Sequence, residues 1–379
     1  MRCRFASSQD QAEQGTLARF DQRALSFFEA LKRTLDFEAL EAELRAVDAA
    51  FELVAARRHE GGLQLDVRAD ARKRPCLERF AALRPEGVLV VSERGARPFD
   101  RVRADVRSVT GHEIGNARVR AGITRGHLLD VVVYLTGSSG SSDVHAGHAA
   151  ELAVEGCLGE RVVDDWISAI TSAPLPRSGP IRLVQHNEEL ARTFALSELP
   201  QAVERAALGV QRALPDERLD VVAARNDWVM LEVGEGEGGA AAQADLLLAS
   251  TFLPEMLKCF LEGAPFSSIR FARHGERFAY LKYESTGDLR ERVASRQALE
   301  DALDARLRSQ GLGAVVGNGV GLGHCYVDLA LLDVEQALPE LMQIARRAGL
   351  PGKSWVLFCD TEWHFEWVGV WEHTPPPVF

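Results

Sequence analysis

The pattern of the last hundred or so residues restricts the fold more than any other part of the chain. Residues 277–284 read as a strand, and Leu299, Leu303 and Leu307 then recur at helical spacing over about 296–309 until Gly311 stops the helix. Two more strand-like runs follow, Ala314–Val316 and Tyr326–Leu332. Asp333, with Gln336 in capping-box position, opens a second helix whose buried stripe is Leu338, Leu341, Met342 and Ala345. Gly349 and Pro351 end it, and Trp355–Cys359 closes the series. The order β-α-β-β-α-β is that of a ferredoxin-like split βαβ unit. It predicts an α+β chain of two or more α/β sandwich units, the C-terminal one ferredoxin-like.

Upstream, residues 1–20 read as a flexible, polar N-terminus and 21–173 as an N-terminal α/β domain. Within that domain Ala24, Phe27, Phe28 and Leu31 form one helical stripe, and Asp36 caps a second helix. Phe51–Ala55 and Leu63–Val67 flank Gly61-Gly62 as a hairpin. Helices are expected at 144–157 and 161–172. The stretch Thr171–Pro180 holds three prolines, two serines and a glycine, so a linker is placed at 174–180. Residues 181–379 then make the C-terminal domain, divisible into ferredoxin-like subunits at 198–284 and 277–379. The apolar run Leu246–Leu261 carries Pro254, Glu255 and Lys258; it is too short and polar for a membrane span and reads as a core helix.

With 379 residues, 26% of them charged and a net charge of −11, the composition is that of a globular protein. The charge is uneven: residues 51–130 hold 15 Arg and one Lys against 11 Asp and Glu, a net of +5. Arg72-Lys73-Arg74 is the basic cluster of that region, but it lacks interleaved aromatics or zinc-knuckle spacing, which argues against nucleic-acid binding. None of the six cysteines forms a C-x-x-C pair, so reduced thiols in a cytoplasmic protein are expected. The first residues lack the apolar run of a signal peptide.

Three groups of residues stand out as candidate sites. Gly317, Gly319, Gly321 and Gly323 make a glycine-rich run; Leu322 breaks the G-x-G-x-x-G spacing, leaving a hairpin connection or a small-ligand loop. His145, His148 and Glu151 fall near one face of a helix and could serve a metal, although not in H-E-x-x-H spacing. Near the C-terminus, Trp363, Trp367 and Trp371 alternate with Asp360, Glu362 and Glu366. Exposed indoles rimmed by carboxylates suit a protein partner, a basic one in particular. No catalytic signature keeps its required spacing, and no cofactor is expected.

Phe51–Val54, Leu129–Tyr134 and Leu158–Ile167, together with Gly317–Asp328, Ser354–Asp360 and Glu366–Trp371, resemble uncharacterised bacterial α/β domains. Such domains are loosely similar to immunity proteins encoded beside bacterial toxins. The resemblance implies a binding role and no catalytic residues. The expected function is therefore a cytoplasmic protein-binding module, of immunity type. A metal-dependent or hydrolytic enzyme with its site at His145–Glu151, and a structural scaffold subunit, are the alternatives.

Overall fold

The contacts of this computed structural model divide the chain into two compact units that alternate along the sequence. Met1–Ser92 and Pro215–Phe379 make one, and Glu93–Leu214 the other. The structure describes residues 11–31, 36–59, 62–69, 74–91, 95–136, 144–175, 193–223, 227–232, 245–364 and 366–377. The α+β class expected from the sequence is the class observed.

The first segment runs α1 (Gln11–Leu31), α2 (Phe37–Val47), β1 (Glu52–His59), β2 (Gly62–Arg68), α3 (Arg74–Ala82) and β3 (Val88–Val91). Asp36 starts α2 as anticipated, its carboxylate accepting from the backbone N–H groups of Glu38 at 3.0 Å and Ala39 at 3.3 Å. β1 and β2 form the expected hairpin, and β3 joins β2 in parallel. Gly62 has φ +144°, and a Cβ there would lie 1.9 Å from the carbonyl oxygen of Gly87, so only glycine fits where β3 approaches. Residues 11–20, read from sequence as loose, are helical instead. Phe20 is buried edge-on against Phe51 at 6.3 Å, and that contact anchors the helix. Phe80 sits at the centre of this core, 5.4 Å from Phe27, 4.9 Å from Phe28 and 5.7 Å from Phe51.

The inserted unit contains α4 (Phe99–Thr110), β4 (Arg118–Ile123), β5 (Leu129–Leu135), α5 (Val144–Leu158), α6 (Glu160–Trp166), β6 (Ile167–Pro174), β7 (Phe194–Ala195) and α7 (Leu199–Ala213). Its four-stranded sheet has the order β6-β5-β4-β7. Ala146, Ala149, Ala150 and Ala153 line the buried side of α5, and Gly156 lets Val102 of α4 approach to where a Cβ would meet it at 2.8 Å. The second helix expected at 161–172 stops at Trp166, because Ile167 onward pairs with β5. The contacts part at Ser92/Glu93 and Leu214/Pro215, not at the anticipated linker. Both β6 and β7, on either side of 174–180, return to the same sheet. Residues 176–180 themselves lie outside the described residues.

The third segment comprises α8 (Leu219–Val222), β8 (Val229–Glu232), β9 (Leu246–Thr251), α9 (Pro254–Glu262), β10 (Arg277–Glu284), α10 (Leu289–Gln310), β11 (Gly313–Gly321), β12 (His324–Leu331), α11 (Val334–Arg347), β13 (Ser354–Phe358) and β14 (Trp367–Gly369). The strands form one antiparallel sheet, β14-β13-β10-β12-β11-β9-β8. The run 246–261 is not a single helix. Its first half pairs with β11, and Pro254 then opens α9 at a position where its missing N–H costs nothing. Nor do residues 198–284 form a second subunit: α7 belongs to the inserted unit, while β8 and β9 extend the one sheet. Leu299, Leu303 and Leu307 of α10 and Leu338, Leu341 and Ala345 of α11 pack on Leu281, Val327, Leu329 and Val356, closing one face of the sheet. On the opposite face Phe278, Ala314, Val316 and Ala330 are covered by α8, α9 and the rings of Phe266 and Phe271, and Tyr326 by Leu257 of α9.

Candidate functional site

The tryptophan and carboxylate residues singled out near the C-terminus do not form a surface patch. Trp363 and Trp367 are buried, as are Asp360 and Glu366. Trp363 packs edge-on against Phe358 at 5.3 Å, with the Arg277 guanidinium 4.9 Å above its ring. Trp367 joins Trp355 and Leu357 in a small core. Trp371 is half-buried, and its indole N–H donates to the Leu350 carbonyl at 2.9 Å. Asp360 accepts from the Ser268 N–H and hydroxyl, both at 2.6 Å, and Arg277 lies near both it and Glu362. The expected alternation of faces fails because Thr361–Trp363 is a 3₁₀ turn, which turns these side chains inward as the anchor of the closing strands.

His145, His148 and Glu151 are all exposed on α5, with His148 Nδ1 4.0 Å from Glu151. Among the described residues no group of three His, Cys, Asp or Glu side chains is placed to hold a metal. Gly317, Gly319 and Gly321 are not in a loop but inside the central strand β11; only Leu322 and Gly323 turn the chain into β12. Their role is to keep side chains off one face of the sheet.

On that face the register builds two polar rows. The first runs Gly317, Asp328, Tyr280 and Leu357 across β11, β12, β10 and β13. The second runs Gly319, Tyr326, Lys282 and Trp355. Side chains alternate along a strand, so Tyr280 and Lys282, and His324, Tyr326 and Asp328, share a face. A Cβ on Gly317 would lie 2.5 Å from Asp328 Oδ2; the glycine gives that carboxyl the space it occupies. Leu257 and Leu261 of α9 cover Tyr326 and Tyr280 from one side, and the ring of Phe260 stands 6.2 Å from that of Tyr280. Tyr280, Lys282, Asp328 and Cys359 remain half-buried on this face.

Asp245, beside the second row, accepts from the Tyr326 hydroxyl at 2.5 Å and the Gly323 N–H at 2.7 Å, and lies 3.1 Å from His324 Nδ1. Burial works against its charge, but these partners outweigh it and hold the carboxyl below its ordinary value. Lys282 is pushed down by burial, with Asp245 opposing. Its ammonium lies 5.9 Å from the Tyr326 ring centre. Asp328 has no such support: among the described residues no hydrogen bond or ion pair reaches its carboxyl. Burial raises it to about 7, Arg296 opposing. A half-buried ionisable group without a hydrogen-bond partner and with a neutral-range pKa is a functional-site signal.

On the sheet's covered face, a second polar cluster escaped the sequence reading. Arg296 of α10 lies 2.8 Å from Glu300 and donates to Asn318 Oδ1 at 2.5 Å, while Arg292 donates to the carbonyls of Gly321, Leu322 and His324. Together they hold the β11–β12 turn. Burial raises Glu300 to about 7, against the pull of Arg296.

These shifts have a defined sign. Asp328 and Glu300 stand at about 7 in the folded protein, above the ordinary carboxylate range of the unfolded chain. Between those values the unfolded state ionises first, so stability falls as pH rises from about 4.5 to 7.5 and then levels. Asp245 acts oppositely, but only as pH drops through its lowered value. Urea unfolding is expected to give a free energy lower by roughly 2–5 kcal/mol at pH 8 than at pH 5. A flat profile across that interval would refute the account.

No helix among the described residues is long and apolar enough to cross a membrane. Cys76, Cys157, Cys259, Cys325 and Cys359 are not in disulfides. No family model, curated protein or solved structure matches the chain.

Proposed function

We propose that this protein binds a small molecule in a recess at Tyr280, Lys282 and Asp328, on the face of its seven-stranded sheet opposite α10 and α11. The observation that carries the reading is Asp328. Leaving a desolvated carboxyl without a partner destabilises a fold, and such groups persist where a ligand supplies what the protein withholds. The neighbours suit a ligand site: tyrosine hydroxyls, one ammonium, aromatic walls and a strand stripped of side chains at Gly317 and Gly319. The order β13-β10-β12-β11, with α10 and α11 on one face, supports reading this part of the chain as ferredoxin-like, a layout that leaves the other face available. The immunity-type, protein-binding reading rested on indoles offered to solvent, and the burial of Trp363 and Trp367 removes that support.

The test is a thermal-shift screen of charged and neutral small molecules at pH 7.5. Binding to the folded state raises the melting temperature, by about 2.7 kcal/mol of stabilisation at a hundredfold excess over Kd. At least one class is expected to stabilise the wild type and to lose its effect in Gly317→Ala, whose methyl displaces the Asp328 carboxyl. The unliganded Asp328→Asn variant is expected to melt higher than wild type. A screen with no hit, combined with an Asp328→Asn variant no more stable than wild type, would remove the recess as a ligand site.

A further inference from the structure

We propose that His324 and Asp245 form a general-base pair that hydrolyses small neutral esters, Asp245 holding the proton on Nδ1 and Nε2 taking one from the attacking water. Asp328 takes no part in it, so an empty thermal-shift screen leaves the pair intact.

Three donors converge on the Asp245 carboxylate: the Tyr326 hydroxyl at 2.5 Å, the Gly323 N–H at 2.7 Å and His324 Nδ1 at 3.1 Å. An ionised carboxylate only accepts, so the hydrogen between Asp245 and His324 belongs to Nδ1, and the lone pair of the neutral ring is left on Nε2. Among the described residues no other hydrogen bond reaches that ring, and Nε2 is not sealed from solvent. The His324 side chain is 26% exposed and that of Asp245 21%. The rings of Tyr326 and Trp355, each 6.4 Å from the imidazole at 50° and 48°, brace it. A carboxylate on one ring nitrogen, with the other nitrogen reaching solvent, is the arrangement in which histidine accepts a proton and hands it on.

The surrounding groups select the reaction. No serine, threonine or cysteine among the described residues is hydrogen-bonded to His324, so the nucleophile is water. Glu284, directly opposite His324 in the β10–β12 register, is paired with Lys353 at 2.5 Å. Lys282 stands diagonally across from His324 on the same face, and among the described residues no hydrogen bond ties its ammonium. Its charge and that of Asp245 sit in each other's field and offset, which favours a neutral substrate, and an ammonium at that place stabilises an oxyanion. In the reaction, Nε2 removes a proton from water as the water oxygen attacks the acyl carbon, and the carbonyl electron pair moves onto oxygen. The electron pair then returns and the acyl C–O bond breaks. The proton passes from Nε2 to the departing alkoxide, which leaves a carboxylic acid and an alcohol.

Steady hydrolysis of p-nitrophenyl acetate by the full chain at pH 7.5, read after any initial burst, tests this. The wild type should turn over faster than an equal concentration of free imidazole. His324→Gln should lower kcat/KM at least ~100-fold. Asp245→Asn should lower kcat at least ~10-fold with KM nearly unchanged, and Asp245→Glu should restore part of the loss. Asp245 is a positioning residue, so its signature lies in the ring it holds. Nitrogen-15 spectra should show the His324 hydrogen on Nδ1 in the wild type and a mixture of tautomers in Asp245→Asn. Lys282→Met should lower kcat as well, and Glu340→Gln, remote on α11, should match the wild type. Melting curves establish that each variant is folded. Turnover no faster than free imidazole, turnover unchanged in His324→Gln, or a wild-type ring with its hydrogen on Nε2 would each overturn the proposal.

Discussion

Arg296→Met is expected to cost roughly 3–5 kcal/mol of folding stability, because it strands Glu300 as a buried, unpaired carboxyl. Arg296 and Glu300 lie one helical turn apart on α10, both almost wholly enclosed, and their bonds to Asn318 fix the middle of β11. Desolvation of two charges offsets most of their attraction, so the pair itself stabilises little, while loss of one member costs much. The double variant Arg296→Met, Glu300→Leu should therefore recover most of the loss. Urea unfolding of the two single variants and the double one gives the comparison. A single-variant loss below about 1 kcal/mol would mean that water reaches Glu300 and that the network is not sealed.

Phe80→Ala should cost a similar amount, roughly 3–5 kcal/mol, for a different reason. Phe80 is fully buried and touches the rings of Phe27, Phe28 and Phe51, one from the hairpin side and two from α1. Truncation leaves a void that three rigid rings cannot collapse into. Phe80→Leu should restore more than half of the loss. If alanine and leucine prove equally harmful, shape-specific ring stacking, not volume, sets the energy of this core.

Local patterning made much of the secondary structure legible. The capping carboxylates Asp36 and Asp333 act where their spacing placed them, and Gly311 stops α10 in the left-handed conformation. Leu299, Leu303 and Leu307 face the core as their period required. Long-range pairing was not legible. Leu246–Thr251 carries as much helical as strand character, and only its pairing with β11 decides the matter. The insertion boundaries carry only single breakers, Ser92 and Pro215, so the richer Thr171–Pro180 stretch drew the division to itself. At the candidate site, tryptophan content misled: large rings are bought for packing as often as for binding. The better signal was present in the alternation Tyr280, Lys282 and His324, Tyr326, Asp328 against Leu281, Cys325, Val327 and Leu329. Polar residues at period two on a central strand mark a face that a core does not claim.

The insertion of Glu93–Leu214 within the other unit also orders events during translation. At about 5–20 residues per second, the ribosome completes the insert before any strand of the seven-stranded sheet has left it. The amino-terminal hairpin and its helices must then wait, on the order of ten seconds to half a minute, for the rest of their unit. A nascent chain stalled just before Ser354 would carry a finished insert while its seven-stranded sheet still lacks β13. The bare β10 edge would pair with whatever strand is nearest. A delay in the arrival of β13 and β14 therefore leaves a strand edge exposed, and chaperones that shield open strands should be found on the chain at that stage.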